Sequence, residues 1–185
     1  ERRDPAKFAD WLARSGWRKG APWGVEVTRP EGFDFGLTGE RVTKPAAEWA
    51  GLGVRDMQGR EVGDHGPASI LMPAGARGAA FMIFPNFHAI ERYNTADAYV
   101  IAVGHLADRI AGGGPIRAAW PRGDRVLVFA ERRELQERLT RAGFDTGGVD
   151  GRIGPNTIAA VRAFQRASGL LPDGYANLDI LRRLR

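Results

Sequence analysis

The sequence predicts an α+β protein in two parts: helices mixed with short strands over residues 1–115, then an all-α three-helix domain over 131–185, with a linker at 116–130. Three observations support this division. Short β-rich pieces bounded by Gly and Pro fill the stretch between Trp17 and Phe84, and helical periodicity follows them. The run Gly112-Gly113-Gly114-Pro115 then stops a helix, and the residues from Ile116 to Ala130, with Pro121 and Gly123, show no period. Beyond them, three narrow apolar stripes alternate with two Asp-Gly pairs, the pattern of short helices that are stable only against one another.

The elements follow in order. Asp4-Pro5 sets an N-cap acid before a proline suited to the first helical turn, Phe8, Trp11 and Leu12 make an apolar stripe, and Gly16 ends the helix. Strands are predicted at Gly24–Val27, Ala68–Pro73 and Ala79–Phe84, the last two forming a hairpin across Ala74-Gly75-Ala76-Arg77-Gly78. Between them, Thr43 to Leu52 reads as a short helix capped by Thr43, with Trp49 turned inward. Asn86–Tyr93 and Thr95–Ala111 read as two further helices, the second capped by Thr95 with Tyr99, Val103, Leu106 and Ile110 on one face. In the C-terminal part, Leu135 and Leu139 lie one turn apart before Gly143. Pro155 to Ser168 carries Ile158, Val161 and Phe164, and Leu178 to Leu184 follows an Asn177 cap.

Composition bounds the function. With 43% hydrophobic and 26% charged residues and only short apolar runs, the chain is globular and carries no membrane-spanning segment. It has no cysteine, which excludes disulfides and thiolate metal sites. The net charge of +5 is unevenly placed: residues 1–115 carry 14 Lys and Arg against 14 acids, and 116–185 carry 13 Arg against 8 acids. A basic surface attracts nucleic acid, anionic lipid or an anionic wall polymer alike, so charge alone does not choose the partner.

The choice comes from the residues of the C-terminal part. Leu135-Gln136, Leu139, Ala142-Gly143-Phe144, Val149-Asp150-Gly151-Arg152-Ile153-Gly154-Pro155-Asn156-Thr157, Ala160-Val161, Phe164-Gln165, Gly169-Leu170 and Pro172-Asp173-Gly174 together resemble the peptidoglycan-binding domain found beside many wall hydrolases. The pattern departs only at Tyr175-Ala176-Asn177, where glycine and threonine are commoner. The two Asp-Gly pairs are read first as turn chemistry, since glycine supplies the left-handed position at no steric cost. The candidate binding groove lies beside them, where Asp150, Arg152, Thr157, Arg162 and Gln165 offer hydrogen bonds to acetamido sugars or stem-peptide carboxylates, with Phe164 assigned to the core.

The first part carries a second resemblance. Gly16-Trp17-Arg18, Pro22-Trp23-Gly24-Val25-Glu26-Val27, Leu71-Met72-Pro73-Ala74-Gly75, Asn86-Phe87, Tyr93-Asn94, Ala98-Tyr99 and Ala102-Val103-Gly104-His105-Leu106-Ala107-Asp108-Arg109-Ile110 occur in the order seen in the membrane-bound lytic murein transglycosylase B family, in the C-terminal half of its catalytic region. The resemblance implies a lyase acting on murein: a glutamate protonates the glycosidic oxygen between N-acetylmuramic acid and N-acetylglucosamine, and the muramyl 6-hydroxyl closes to a 1,6-anhydro product. It also implies that Tyr93-Asn94 lines the substrate cleft, against the plainer reading that Tyr93 packs inward and Asn94 caps a turn. The family's catalytic glutamate motif and calcium-loop-like Asp-Gly run are absent from this sequence. No catalytic residue is therefore assigned, an upstream catalytic segment is expected as partner, and this chain alone is expected to be inactive. Glu26, between two valines, reads as an outward strand residue, and Glu91 and Asp97 as solvated helix acids.

Other chemistry is set aside. His65, His88 and His105 form no HExxH or similar motif, so neither a metal nor a cofactor is expected. No phosphate loop or nucleophile elbow is present. Of the five Trp, Trp17, Trp23 and Trp120 remain candidates for sugar stacking. The expected partners are glycan strands and stem peptides rather than nucleic acid. The expected location is the periplasm or cell envelope, with any signal or lipid anchor upstream. The alternative is a non-catalytic peptidoglycan-anchoring protein in which the first part is only a scaffold.

Overall fold

The computed structural model describes residues 5–185, so the N-cap expected at Asp4 lies outside the described residues. The chain is mixed α+β and divides into two compact units, one of residues 5–73 and 79–119, the other of 120–185 with the short loop 74–78.

In the first unit, helix α1 (Pro5–Arg14) precedes a four-stranded antiparallel sheet of β1 (Gly24–Thr28), β2 (Arg55–Asp56), β3 (Ser69–Leu71) and β4 (Ala80–Ile83) in the order β2-β1-β4-β3. The expected hairpin forms, with Ser69 opposite Ile83 and Leu71 opposite Phe81. β1 pairs with the other side of β4, Gly24 opposite Ile83 and Glu26 opposite Phe81. Every residue of the central strand β4 is buried, as strand alternation requires when both faces are covered. Helices α3 (Pro85–Glu91) and α4 (Asp97–Ile110) cover one face, where Trp23, Phe81, Ile83, Phe87, Ile90 and Val100 form a core. Helix α2 (Ala46–Gly51) buries Trp49 as expected, its Nε1–H donating to the Ala68 carbonyl at 2.9 Å.

Three expectations are corrected. Helix α2 begins after Pro45, and the Thr43 hydroxyl instead meets Ser69 Oγ at 3.2 Å; Thr43 is therefore not its cap. Helix α4 begins after Ala96, because Asn94 Oδ1 accepts the Ala96 N–H at 3.0 Å and makes the turn that Thr95 was expected to make. The face of α4 turned inward is Val100, Ile101 and Gly104, while Leu106 and Ile110 are 60% and 80% exposed. Gly104 explains the rotation: a Cβ there would lie 2.7 Å from the Trp23 ring, so only glycine lets this face approach. The same Trp23 donates Nε1–H to Asp108 at 2.7 Å.

In the second unit, α5 (Phe129–Arg141), α6 (Pro155–Ala167) and α7 (Leu178–Leu184) bury Leu135, Leu139, Ala160, Val161, Ile180 and Leu181 against one another. Phe164 packs at the margin of this core, its ring edge-on to Phe144. Asn177 caps α7 through the Ile180 N–H at 3.0 Å. In the stretch read as a linker, Ile116 and Ala118 pack on the first unit's core and Leu127 belongs to the second unit's. Glu131 reaches back to the Val128 N–H at 2.9 Å, which starts α5 at Phe129.

Candidate functional site

The corner between α3 and α4 carries Tyr93 and Asn94. The Tyr93 N–H still bonds the Ile90 carbonyl at 2.9 Å, whereas the Asn94 side chain is used by the turn that launches α4. The Tyr93 ring is half exposed. It stands edge-on to Trp11 at 5.9 Å and to Phe8 at 6.4 Å, and stacks on Tyr99 at 5.9 Å. Tyr93 is thus one member of a surface aromatic group contributed by α1, the corner and α4, the kind of platform on which the apolar face of a sugar stacks. Phe8 and Trp11, the apolar stripe of the first helix, thus have a second role, whereas Trp23, a stacking candidate from the sequence, is a core residue. Trp17 packs against the same core, while Trp120 is exposed.

Beside this corner the fold assembles four titratable groups. His88 and Glu91 lie one turn apart on α3, with His88 Nδ1 2.9 Å from Glu91 Oε2 and 3.9 Å from Glu40 Oε2. Glu40 comes from a loop held against β3: the Gly39 N–H bonds the Ile70 carbonyl at 2.8 Å, and Ser69 Oγ donates to the Glu40 carbonyl at 3.1 Å. Glu40 also shares a side-chain hydrogen bond with Asp97 at the start of α4. Burial, then the negative charges of Glu91 and Asp97, push the Glu40 carboxyl up to about 7. Burial raises Asp97 as well, opposed by its hydrogen bond from Glu40. Asp97 is therefore not the freely solvated acid expected from its helix position. Glu40 carried no signal in the sequence, since its neighbours stand about 50 positions away; the His88–Glu91 pair at helical spacing was the readable half of the group.

His88 also borders a cavity of about 400 Å³ shared with Arg18, Thr43, Ser69 and Arg92. A larger cavity of about 590 Å³ includes Glu26, Asp56, Arg60 and Arg117. Of its three carboxylates, Glu61 is exposed and 3.9 Å from Arg55, and the other two are already committed. Asp56 accepts from Arg60 and from the Gln58 and Arg60 N–H groups, and Glu26, expected to face solvent, accepts the Arg117 and Ala118 N–H groups at 2.8 and 2.7 Å. We therefore centre the candidate site on Tyr93, Asn94 and the Glu40 group.

The second unit contains two copies of one device. Gln136, on α5, donates Nε2–H to Asp150 Oδ1 at 2.9 Å and accepts the Gly151 N–H at 2.8 Å. Gln165, on α6, donates to Asp173 Oδ1 at 2.7 Å and accepts the Gly174 N–H at 2.8 Å. Each helical glutamine thus clamps one Asp-Gly turn whose glycine has positive φ, 73° at Gly151 and 75° at Gly174. The second Asp173 oxygen accepts the Ala76 N–H at 2.8 Å. Of the groove residues expected, Thr157 and Gln165 are buried, and the Thr157 hydroxyl accepts from Gln136 at 3.1 Å. Arg162 is half-buried and lies along Gly174. Asp150 and Arg152 are exposed. Gln136, only 1% exposed, is a buried polar residue at the heart of this groove that is absent from the expected binding set.

Residues 6–108 match the transglycosylase SLT domain family, and residues 130–184 match the peptidoglycan binding domain family. No curated protein matches the chain. Among solved structures the chain is similar to SltB3 from Pseudomonas aeruginosa, in complex with NAG-anhNAM-pentapeptide and in complex with NAG-NAM-pentapeptide. In both the identity is 46% over 97% of this chain and 49% of that one, at a TM-score of 0.93. The chain thus spans about half the length of SltB3. The first match, over more than half of the chain, shows that it belongs to the transglycosylase SLT domain family, and the second that it carries a peptidoglycan-binding domain on its C-terminal side.

Proposed function

We propose that this protein is a lytic murein transglycosylase of the cell envelope, cleaving the β-1,4 bond from N-acetylmuramic acid to N-acetylglucosamine with formation of a 1,6-anhydro end. The carrying observation is the joint match, in one chain, to a transglycosylase SLT domain and a peptidoglycan-binding domain. The SltB3 complexes, which hold sugar–pentapeptide ligands, support glycan strands with stem peptides as the substrate class. In this reading Tyr93 contacts the glycan through its ring and Asn94 shapes the corner. The second unit retains the wall polymer through the exposed Asp150 and Arg152, with the half-buried Arg162 at the groove's edge and Thr157 and Gln165 supporting its shape.

In this reading the proton donor lies outside residues 5–185. A glycosidase acid needs a carboxyl raised by an apolar enclosure and free to face the leaving oxygen. Glu40 is raised, but it shares its proton with Asp97 in a polar group that includes Glu91 and His88. Digestion of purified sacculi, read as anhydromuropeptides by mass spectrometry, tests this. The 185-residue chain alone is expected to bind sacculi and release none, and Glu40→Gln in the longer enzyme is expected to leave release intact. Anhydro product from the chain alone, lost on Glu40→Gln, would transfer the donor role to Glu40. Failure of the chain to sediment with sacculi would remove the wall reading itself.

A further inference from the structure

We propose that Glu40, His88 and Glu91 form a binding site for a first-row divalent metal ion, which fastens the loop before α2 to helix α3 beside the Tyr93–Asn94 corner. The geometry carries it. One ligand atom from each residue lies within 4.8 Å of the other two. His88 Nδ1 is already 2.9 Å from Glu91 Oε2, about the separation of ligands at right angles on an ion bound at roughly 2.1 Å. Its 3.9 Å distance to Glu40 Oε2 asks for a shift of about an ångström in a half-exposed glutamate, within the reach of its rotamers. Asp97, hydrogen-bonded to Glu40, stands where an outer carboxylate orients a ligand.

The ligand set and the charge balance both select a cation. One imidazole nitrogen with two carboxylates is a donor set for Zn²⁺ or Mn²⁺, whereas Ca²⁺ takes six to eight oxygens. Among the described residues only His88 forms an ion pair with Glu40 or Glu91, and no Lys or Arg does. Two carboxylates thus face one neutral-capable ring with no fixed positive charge between them. Neither the fold nor the proposed wall chemistry already accounts for this arrangement, and the inference does not depend on that chemistry.

Calorimetric titration of Zn²⁺, and separately Mn²⁺, into the chelator-stripped 185-residue chain tests the site. One equivalent is expected to bind with micromolar affinity, Ca²⁺ more weakly. His88→Ala and the double change Glu40→Gln/Glu91→Gln should each weaken Zn²⁺ binding at least about tenfold, while His65→Ala/His105→Ala leaves it unchanged. Thermal unfolding without metal checks that each variant is folded, and Zn²⁺ should raise the Tm of the wild type but not of His88→Ala. Absence of saturable binding, or binding in His88→Ala equal to the wild type, overturns the proposal. Neither outcome bears on retention by sacculi or on anhydro product, so the two readings fail separately.

Discussion

Glu40 combines partial burial with two acids close by, and this makes its folded-state pKa, about 7 against an ordinary value of 4.5, a statement about stability. Between those values the folded chain holds a proton that the unfolded chain has lost, so stability falls as pH rises from about 4.5 to about 7 and stays reduced above it. The full shift would be worth about 3 kcal/mol, but a half-exposed group is screened by water, and about 1 kcal/mol is the expected effect. With chelator present, Glu40→Gln should match the wild type near pH 4.5 and unfold at higher urea near pH 8. Parallel wild-type and variant curves across that range would show that the carboxyl is not strained. Gln136 is the contrasting residue, a buried amide in which both donor and acceptor are used. Gln136→Ala leaves the Gly151 N–H unpaired inside the second unit and should cost about 2–3 kcal/mol by urea unfolding.

At the scale of elements, helix α4 shows what patterning reads and what it cannot. Two apolar stripes run along it, Tyr99-Val103-Leu106-Ile110 and Val100-Ile101-Gly104, and the first is the more hydrophobic. The second is turned inward because packing is decided by approach as well as hydrophobicity, and Gly104 alone admits the Trp23 ring. Gly104→Ala should therefore destabilise by about 1–3 kcal/mol despite the gain in helix propensity, read as a lowered midpoint of urea unfolding. An unchanged or raised midpoint would mean that Trp23 has room to give. The long-period elements were legible: the hairpin at β3–β4, the burial of Trp49 and the three C-terminal helices all follow from spacing within one segment. Thr43 and Thr95 misled because a hydroxyl before a helix is a cap only if no neighbour makes the turn first, and Asn94 did so for α4. The Glu40 group was invisible because it joins a loop to a helix about 50 positions on. The glutamine clamps could have been read, had Gln136 and Gln165 been matched to Asp150 and Asp173 as two instances of one device.

At the scale of the whole molecule, the basic excess of residues 116–185 has to be separated from the groups that shape the wall-binding fold, and the two clamps make that separation testable. Arg152 contributes its backbone to the architecture, its N–H donating to Asp150 and its carbonyl accepting from Gln136, while its guanidinium is exposed. Arg152→Ala keeps those backbone bonds and removes only a cation facing solvent. It should therefore weaken sedimentation with sacculi about tenfold, the worth of one charge-assisted contact, without moving the Tm. Gln165→Ala should behave in the opposite way, lowering the Tm because the Gly174 N–H loses its partner, and losing sacculus retention only in proportion to unfolding. If retention is instead lost equally to any arginine replacement and restored by dropping the ionic strength, attraction of the basic surface as a whole is responsible, and no groove beside the Asp-Gly turns is needed. If Arg152→Ala alone leaves retention unchanged in low and high salt, the ligand-facing side of this unit is not the face that carries Asp150 and Arg152.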